Sequence, residues 1–220
     1  MSSPTRVRQP LPRSFFDRPA PEVAPDLLGE VVEHETPEGL VAVRLTEVEA
    51  YEGEADPASH AYRGRSPRNA TMYGDPGHVY VYFTYGMHFC MNAVCLPAGR
   101  ASAVLLRAGE VVDGVPLARH RRGPSTADRD LARGPARLTV ALGVRGDEDG
   151  ADGCAADSAL RLCRGPDGAS GVVATSPRTG VATAAEVPWR FYLSGDPTVS
   201  PYRRHVPKRR IRREDGSATE

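Results

Sequence analysis

From residue 40 to residue 51 the run LVAVRLTEVEAY alternates apolar and polar positions at the two-residue period of a β-strand. On that period Val41, Val43, Leu45, Glu47, Glu49 and Tyr51 share one face, which starts as core and ends in two acids and a phenol. The preceding stretch 30–35 is a second strand, joined to it by the turn TPEG. Downstream, Val79, Val81 and Phe83 alternate with Tyr80, Tyr82 and Thr84. After Tyr85-Gly86, Met87, Phe89 and Met91 alternate with His88, Cys90 and Asn92, so two strands are predicted to turn at TYG. A further strand is predicted over 102–112, and SGVVATSPRTGV and WRFYLSG close the chain as two more.

Helical signals are shorter. SFFDRPAPEVAPDLLG reads as a Pro-punctuated lead-in that stops at Gly29, and Leu131, Leu138, Ala141 and Leu142 mark helical spacing over 128–144, broken near Gly134-Pro135. Residues 52–78 form a long loop, and loops beyond about 12–15 residues are seldom idle. With no internal repeat and no alternating βαβ series, the pattern predicts one α+β domain around a curved, mostly antiparallel β-sheet flanked by helices. Residues 1–13, with three prolines and no period, are expected to lack structure, 14–202 to form the domain, and the basic stretch 203–220 to be a disordered tail.

Composition narrows the class. At 220 residues and 40% hydrophobic content the chain can bury a sizeable core. It has no apolar run of about 18 residues and no apolar core of a signal peptide near its start, so an intracellular protein of the cytoplasm or nucleoid, with no membrane partner, is expected. Cys90, Cys95, Cys154 and Cys163 make no CxxC pair and the six histidines make no HExxH, so neither a metal nor a cofactor is implied. Net charge is zero, yet bases collect in 118–123 and 201–213, which permits a local phosphate footprint.

Candidate chemistry centres on aromatics and acids. Six of the eight tyrosines fall between Tyr51 and Tyr85. Tyr80 and Tyr82 fit a half-buried sheet face, whereas Tyr85 at a hairpin tip suggests a partner. Aromatics beside Arg63, Arg65, Arg68 and Asn69 offer base stacking and phosphate neutralisation. Stacking contributes about 1–3 kcal/mol per base, enough to offset the few kcal/mol needed to unstack one duplex step. Glu47 and Glu49 fit an acid pair of glycosidase type, or one acid held by an arginine beside one chemical acid, or a register slip near residue 46 that turns both to water. His60 taken alone fits a hydrogen-bonded loop histidine. No GxGxxG in a βαβ setting, P-loop or GxSxG is present.

The segments TEVEAYEGEADPASH, SPRNATMYG, PGHVYVYFTYGMHFCMN, VLLRA and GPARLTVALGV, with FFDRPAPEVAPDLLG before them and SPRTGV and RFYLSG after, resemble the alkyladenine (3-methyladenine) DNA glycosylases of the mammalian type, in order from about Phe15 to Ser200. The resemblance implies a single domain that flips alkylated or deaminated purines (3-methyladenine, 7-methylguanine, hypoxanthine, ethenoadenine) out of double-stranded DNA and hydrolyses their N-glycosidic bonds. It implies a protruding, DNA-inserting β-hairpin with Tyr85 and Met87 at its tip. Glu49 would be the general base, Glu47 an auxiliary residue, and Arg107 a neighbour of the attacking water. Tyr51, Ala58, His60, Tyr82 and Asn92 would form the base pocket, with the purine between Tyr51 and His60 on one side and Tyr82 on the other. Arg65, Arg68, Asn69 and Arg178 are candidates for the DNA backbone. Only one of 28 basic residues is a lysine, Lys208, so a monofunctional enzyme without a Schiff-base step, acting as a monomer, is expected. The acidic loop 146–157 has no counterpart in the resemblance and reads as surface variation. A nucleoside N-glycoside hydrolase and a non-catalytic nucleic-acid-binding module are the alternatives.

Overall fold

A computed structural model describes residues 8–84, 86–166 and 171–206. Nine strands form one antiparallel sheet: β1 (Val31–Thr36), β2 (Gly39–Tyr51), β3 (Val79–Thr84), β4 (His88–Val94), β5 (Ala103–Asp113), β6 (Ala132–Arg133), β7 (Leu160–Cys163), β8 (Val173–Ser176) and β9 (Arg190–Leu193). The order is β3-β4-β5-β2-β1-β7, with β6 on β5 and the β8–β9 pair on β2. The helices α1 (Arg13–Phe16), α2 (Ala20–Asp26), α3 (Val115–Arg122) and α4 (Pro135–Leu142) are short. This is the α+β single-domain class that the pattern predicts.

β2 is the strand that matters. One of its edges pairs with β5; the other pairs with β1 as far as Arg44 and with β9 from Glu47 to Glu49. The β2–β5 register shifts between Leu45 and Glu47 and again between Glu47 and Val48, leaving Thr46 and Arg107 off the ladder. An unpaired residue in a strand moves the alternation by one position. Val41, Val43 and Leu45 therefore lie in the main core, and so do Val48 and Ala50, one step out of phase. The single face expected from Val41 through Tyr51 is corrected accordingly: the glutamates occupy the side opposite the valines. They are not turned to water: both are 0% exposed, Glu47 bonded to Arg107, Arg190 and Ser200 and Glu49 to Arg107, Tyr51 and Thr179.

Other differences are local. Residues 8–12 were expected to lack structure, but the Leu11 amide donates to the Leu162 carbonyl and its side chain is fully buried. The basic stretch at 118–123 is mostly helical, in α3, where Arg121 reaches Glu38, Thr36 and the Ala141 carbonyl. The helix expected over 128–144 is confined to α4, preceded by the two-residue strand β6. No helix among the described residues is long and apolar enough to cross a membrane.

Candidate active site

The second half of β2 delivers two carboxylates into the protein. Glu47 Oε1 accepts from Arg107 Nε at 2.7 Å, Arg190 Nε at 2.8 Å and the Ser200 hydroxyl at 2.9 Å; its Oε2 accepts from the Ser200 amide at 2.6 Å. Burial by itself raises the Glu47 carboxyl, but Arg107, then Arg190 and Ser200, outweigh it and hold the pKa below the ordinary value. Arg107 spans both acids, with Nη1 3.2 Å from Glu49 Oε2. Glu49 also accepts from the Tyr51 hydroxyl at 2.9 Å and from the Thr179 amide at 2.6 Å. Burial, then the Glu49 carboxylate, pushes the Tyr51 phenol well above its usual range. Two acids and two guanidiniums thus form a buried, neutral quartet. Desolvation makes such an arrangement costly unless each charge is bonded.

In front of the quartet opens a cavity of about 680 Å³. Tyr51, Ala58, His60, Tyr82, Asn92 and Arg107 all line it. Glu49 lies immediately behind, bonded to three lining residues: Tyr51, Arg107 and Thr179. His60 and Tyr82 meet edge to face with ring centroids 4.5 Å apart. A flat ring between two parallel faces needs about 7 Å, twice a van der Waals contact. The expected slot with His60 and Tyr82 on opposite sides is thereby corrected: they belong to one wall, with Tyr80 stacked on Tyr82 at 5.5 Å. Burial, then the charge of Arg68, keeps the His60 imidazole below its ordinary pKa. Asn92 Nδ2 donates to the Tyr80 carbonyl across the β3–β4 ladder.

The residues expected at the DNA backbone divide. Arg65 and Arg68 are exposed, Arg65 over the Tyr73 ring at 5.9 Å and Arg68 near His60 and Tyr80. Asn69 is 2% exposed and staples its own loop, donating to the His60 and Gly64 carbonyls and accepting from the Ser66 amide. Arg178 is 1% exposed, pairs with both oxygens of Asp56, and stacks its guanidinium 4.6 Å over the Tyr51 ring. Neither buried group is presented to a phosphate; Arg178 instead fixes a pocket aromatic. Met87 is 68% exposed at the β3–β4 turn, and Tyr85 lies outside the described residues.

Sequence reasoning missed Arg190, Ser200, Asp56, Thr179 and Arg203. Arg203 lines the cavity although it falls in the expected tail, because its carbonyl accepts from the Gly180 amide. The pairing arginines carried no signal, since a guanidinium gives no sign in sequence of which acid it will meet.

A carboxylate bonded behind an aromatic cavity, with an arginine between it and a second acid, is equipment for hydrolysing a bond beside a flat ring. The comparisons agree. Residues 14–197 match the Methylpurine-DNA glycosylase (MPG) family. A protein of Streptomyces avermitilis named "Putative 3-methyladenine DNA glycosylase" is 58% identical over 92% of this chain and 96% of its own length. Proteins of the same name from Leifsonia xyli subsp. xyli and Burkholderia lata are 54% and 48% identical, over 93% and 86% of this chain and 98% and 90% of their own. The chain belongs to the methylpurine-DNA glycosylase family and is a DNA glycosylase of the hydrolase class.

Proposed function

We propose that the protein excises 3-methyladenine and related alkylated or deaminated purines from duplex DNA by hydrolysis alone, after extruding the nucleotide into the cavity. The reading is carried by Glu49, a fully buried carboxylate held by three donors directly behind the aromatic wall. A purine enters with one face on the wall of His60 and Tyr82 and the other toward Tyr51, where Arg178 fixes the ring. A cationic alkylated purine gains most from such faces. Water beside Glu49 and Arg107 attacks C1′ as the C1′–N bond breaks, the bonding pair leaves with the base, and Glu49 takes the water proton. The Glu49 carboxylate faces the oxocarbenium-like charge that develops and offsets it. Glu47 acts through Arg107, as a positioning residue.

Tyr85 fills the gap in the duplex, with Met87 beside it, and Asn92 excludes guanine by clashing with its exocyclic amine. Arg65, Arg68 and Arg203 meet phosphates. The only lysine, Lys208, lies outside the described residues, and no Schiff-base amine is proposed. Duplexes carrying 3-methyladenine, hypoxanthine or ethenoadenine test the whole reading. Base release without strand cleavage before alkali supports it; release from free nucleosides only, or borohydride trapping of a covalent adduct, overturns it. Glu49→Gln is expected to lower release by about 10²–10⁴-fold while lesion binding persists. Equal loss in Glu47→Gln in a folded variant would place the base wrongly.

A further inference from the structure

β3 is the free edge of the sheet, and it carries the aromatic wall. The acidic loop, for which the sequence offered no motif, lies along that edge as if it were another strand. The Gly150 amide donates to the Val79 carbonyl at 2.8 Å, the Val79 amide to the Ala151 carbonyl at 2.9 Å, and the Gly153 amide to the Gly77 carbonyl at 3.0 Å. One step further along, the loop backbone no longer pairs and a side chain takes over. Asp149 Oδ1 accepts from the Val81 amide at 2.9 Å, between Tyr80 and Tyr82. Its other oxygen, Oδ2, accepts from the Thr71 hydroxyl at 3.1 Å.

Thr71 belongs to the 3₁₀ segment Pro67–Tyr73, a different part of the pocket. Met72 of that segment lines the cavity, and Asn69 holds the His60 carbonyl. One carboxylate therefore ties the strand bearing Tyr80 and Tyr82 to the loop bearing His60 and Met72. We propose that Asp149 is a positioning residue that sets the spacing of the two halves of the base-binding wall, and so the enzyme's preference for a damaged purine over undamaged duplex. It touches neither base nor reacting atoms. The requirement is for two acceptor contacts held at once, not for negative charge, which would by itself repel DNA. β3 stays paired with β4 without Asp149, so what the carboxylate adds is the link from the Val81 amide to Thr71.

The inference rests on the cavity being the purine site. Affinity for a lesion-containing duplex and for the matched undamaged duplex, measured for the wild type, Asp149→Ala and Asp149→Asn, tests it, alongside single-turnover base release. The wild type must first prefer the lesion duplex; absence of that preference overturns the reading of the cavity and of Asp149 together. With that preference present, Asp149→Ala is expected to lower the ratio of lesion to undamaged affinity about three- to tenfold, the scale of one lost net hydrogen bond. Binding of undamaged DNA stays within twofold. Asp149→Asn, whose amide oxygen still accepts from Val81 and whose NH2 can donate to Thr71, restores the ratio to within twofold. An unchanged ratio in a folded Asp149→Ala, or equal losses in the Ala and Asn variants, overturns the proposal. Should Asp149→Ala fail to fold, Thr71→Val removes only the second anchor; it must lower the ratio in the same direction, and an unchanged ratio counts against the tether.

Discussion

At the scale of single residues, the site is decided by which arginine meets which acid. Arg178 is separated from Asp56 by 122 positions and Arg190 from Glu47 by 143, yet both pairs are buried and hydrogen-bonded. Residue type alone makes Arg178 look like a phosphate ligand; burial makes it a support for Tyr51. Removing one partner of a buried pair leaves an uncompensated charge, so Asp56→Ala is expected to cost about 3–5 kcal/mol, read as a lowered midpoint in urea unfolding. Asp56 also accepts from the Ala58 and Glu52 amides, which adds to that loss. Glu49, Tyr51, His60, Tyr82, Asn92 and Arg107 were legible because their sequence motifs are long; their partners were not, because a contact across more than a hundred residues leaves no local mark.

At the scale of elements, the irregularity at Thr46 and Arg107 separates the half of β2 that carries valines into the core from the half that carries the two glutamates. A strict alternation puts the glutamates with the valines; two compensating shifts in β2 and β5 put them on the other side. Gly109 sits beside this irregularity, opposite Leu45, and a Cβ there would lie 2.2 Å from the Arg44 carbonyl oxygen. Gly109→Ala must push the two strands apart, with an expected cost of about 1–3 kcal/mol. Loss of base release in the surviving folded fraction would show that the strand spacing also places Arg107. The long strands were legible from their period. β7 was not read from the sequence, and α3 was hidden by a sequence rich in arginine, whose side chains bond to distant partners such as Glu38 and the Leu131 carbonyl.

At the scale of the whole molecule, two solution properties follow from charge. Because Glu47 titrates below its ordinary 4.5, the stability it contributes is complete above that value and is lost as pH falls through the folded-state pKa. Urea midpoints measured from about pH 6 to about pH 3 should therefore decline more steeply for the wild type than for Glu47→Gln. DNA affinity should fall with salt, since neutralised phosphates release counterions. Arg203→Gln is expected to reduce the slope of log affinity against log salt by about 1, the loss of one phosphate contact. An unchanged slope would remove Arg203 from the interface.

What the linear sequence determined is what repeats or clusters locally: the strand periods, the aromatic-rich stretch from Tyr51 to Tyr85, and the motifs that mark the family. The fold decided the rest, because burial and charge pairing depend on residues far apart in the chain. Only the tertiary structure turned Glu47 and Glu49 away from their own valines, buried Arg178 beneath Tyr51, and joined His60 to Tyr82 in one wall. It also brought an acidic loop without a motif against the edge of the strand that carries that wall.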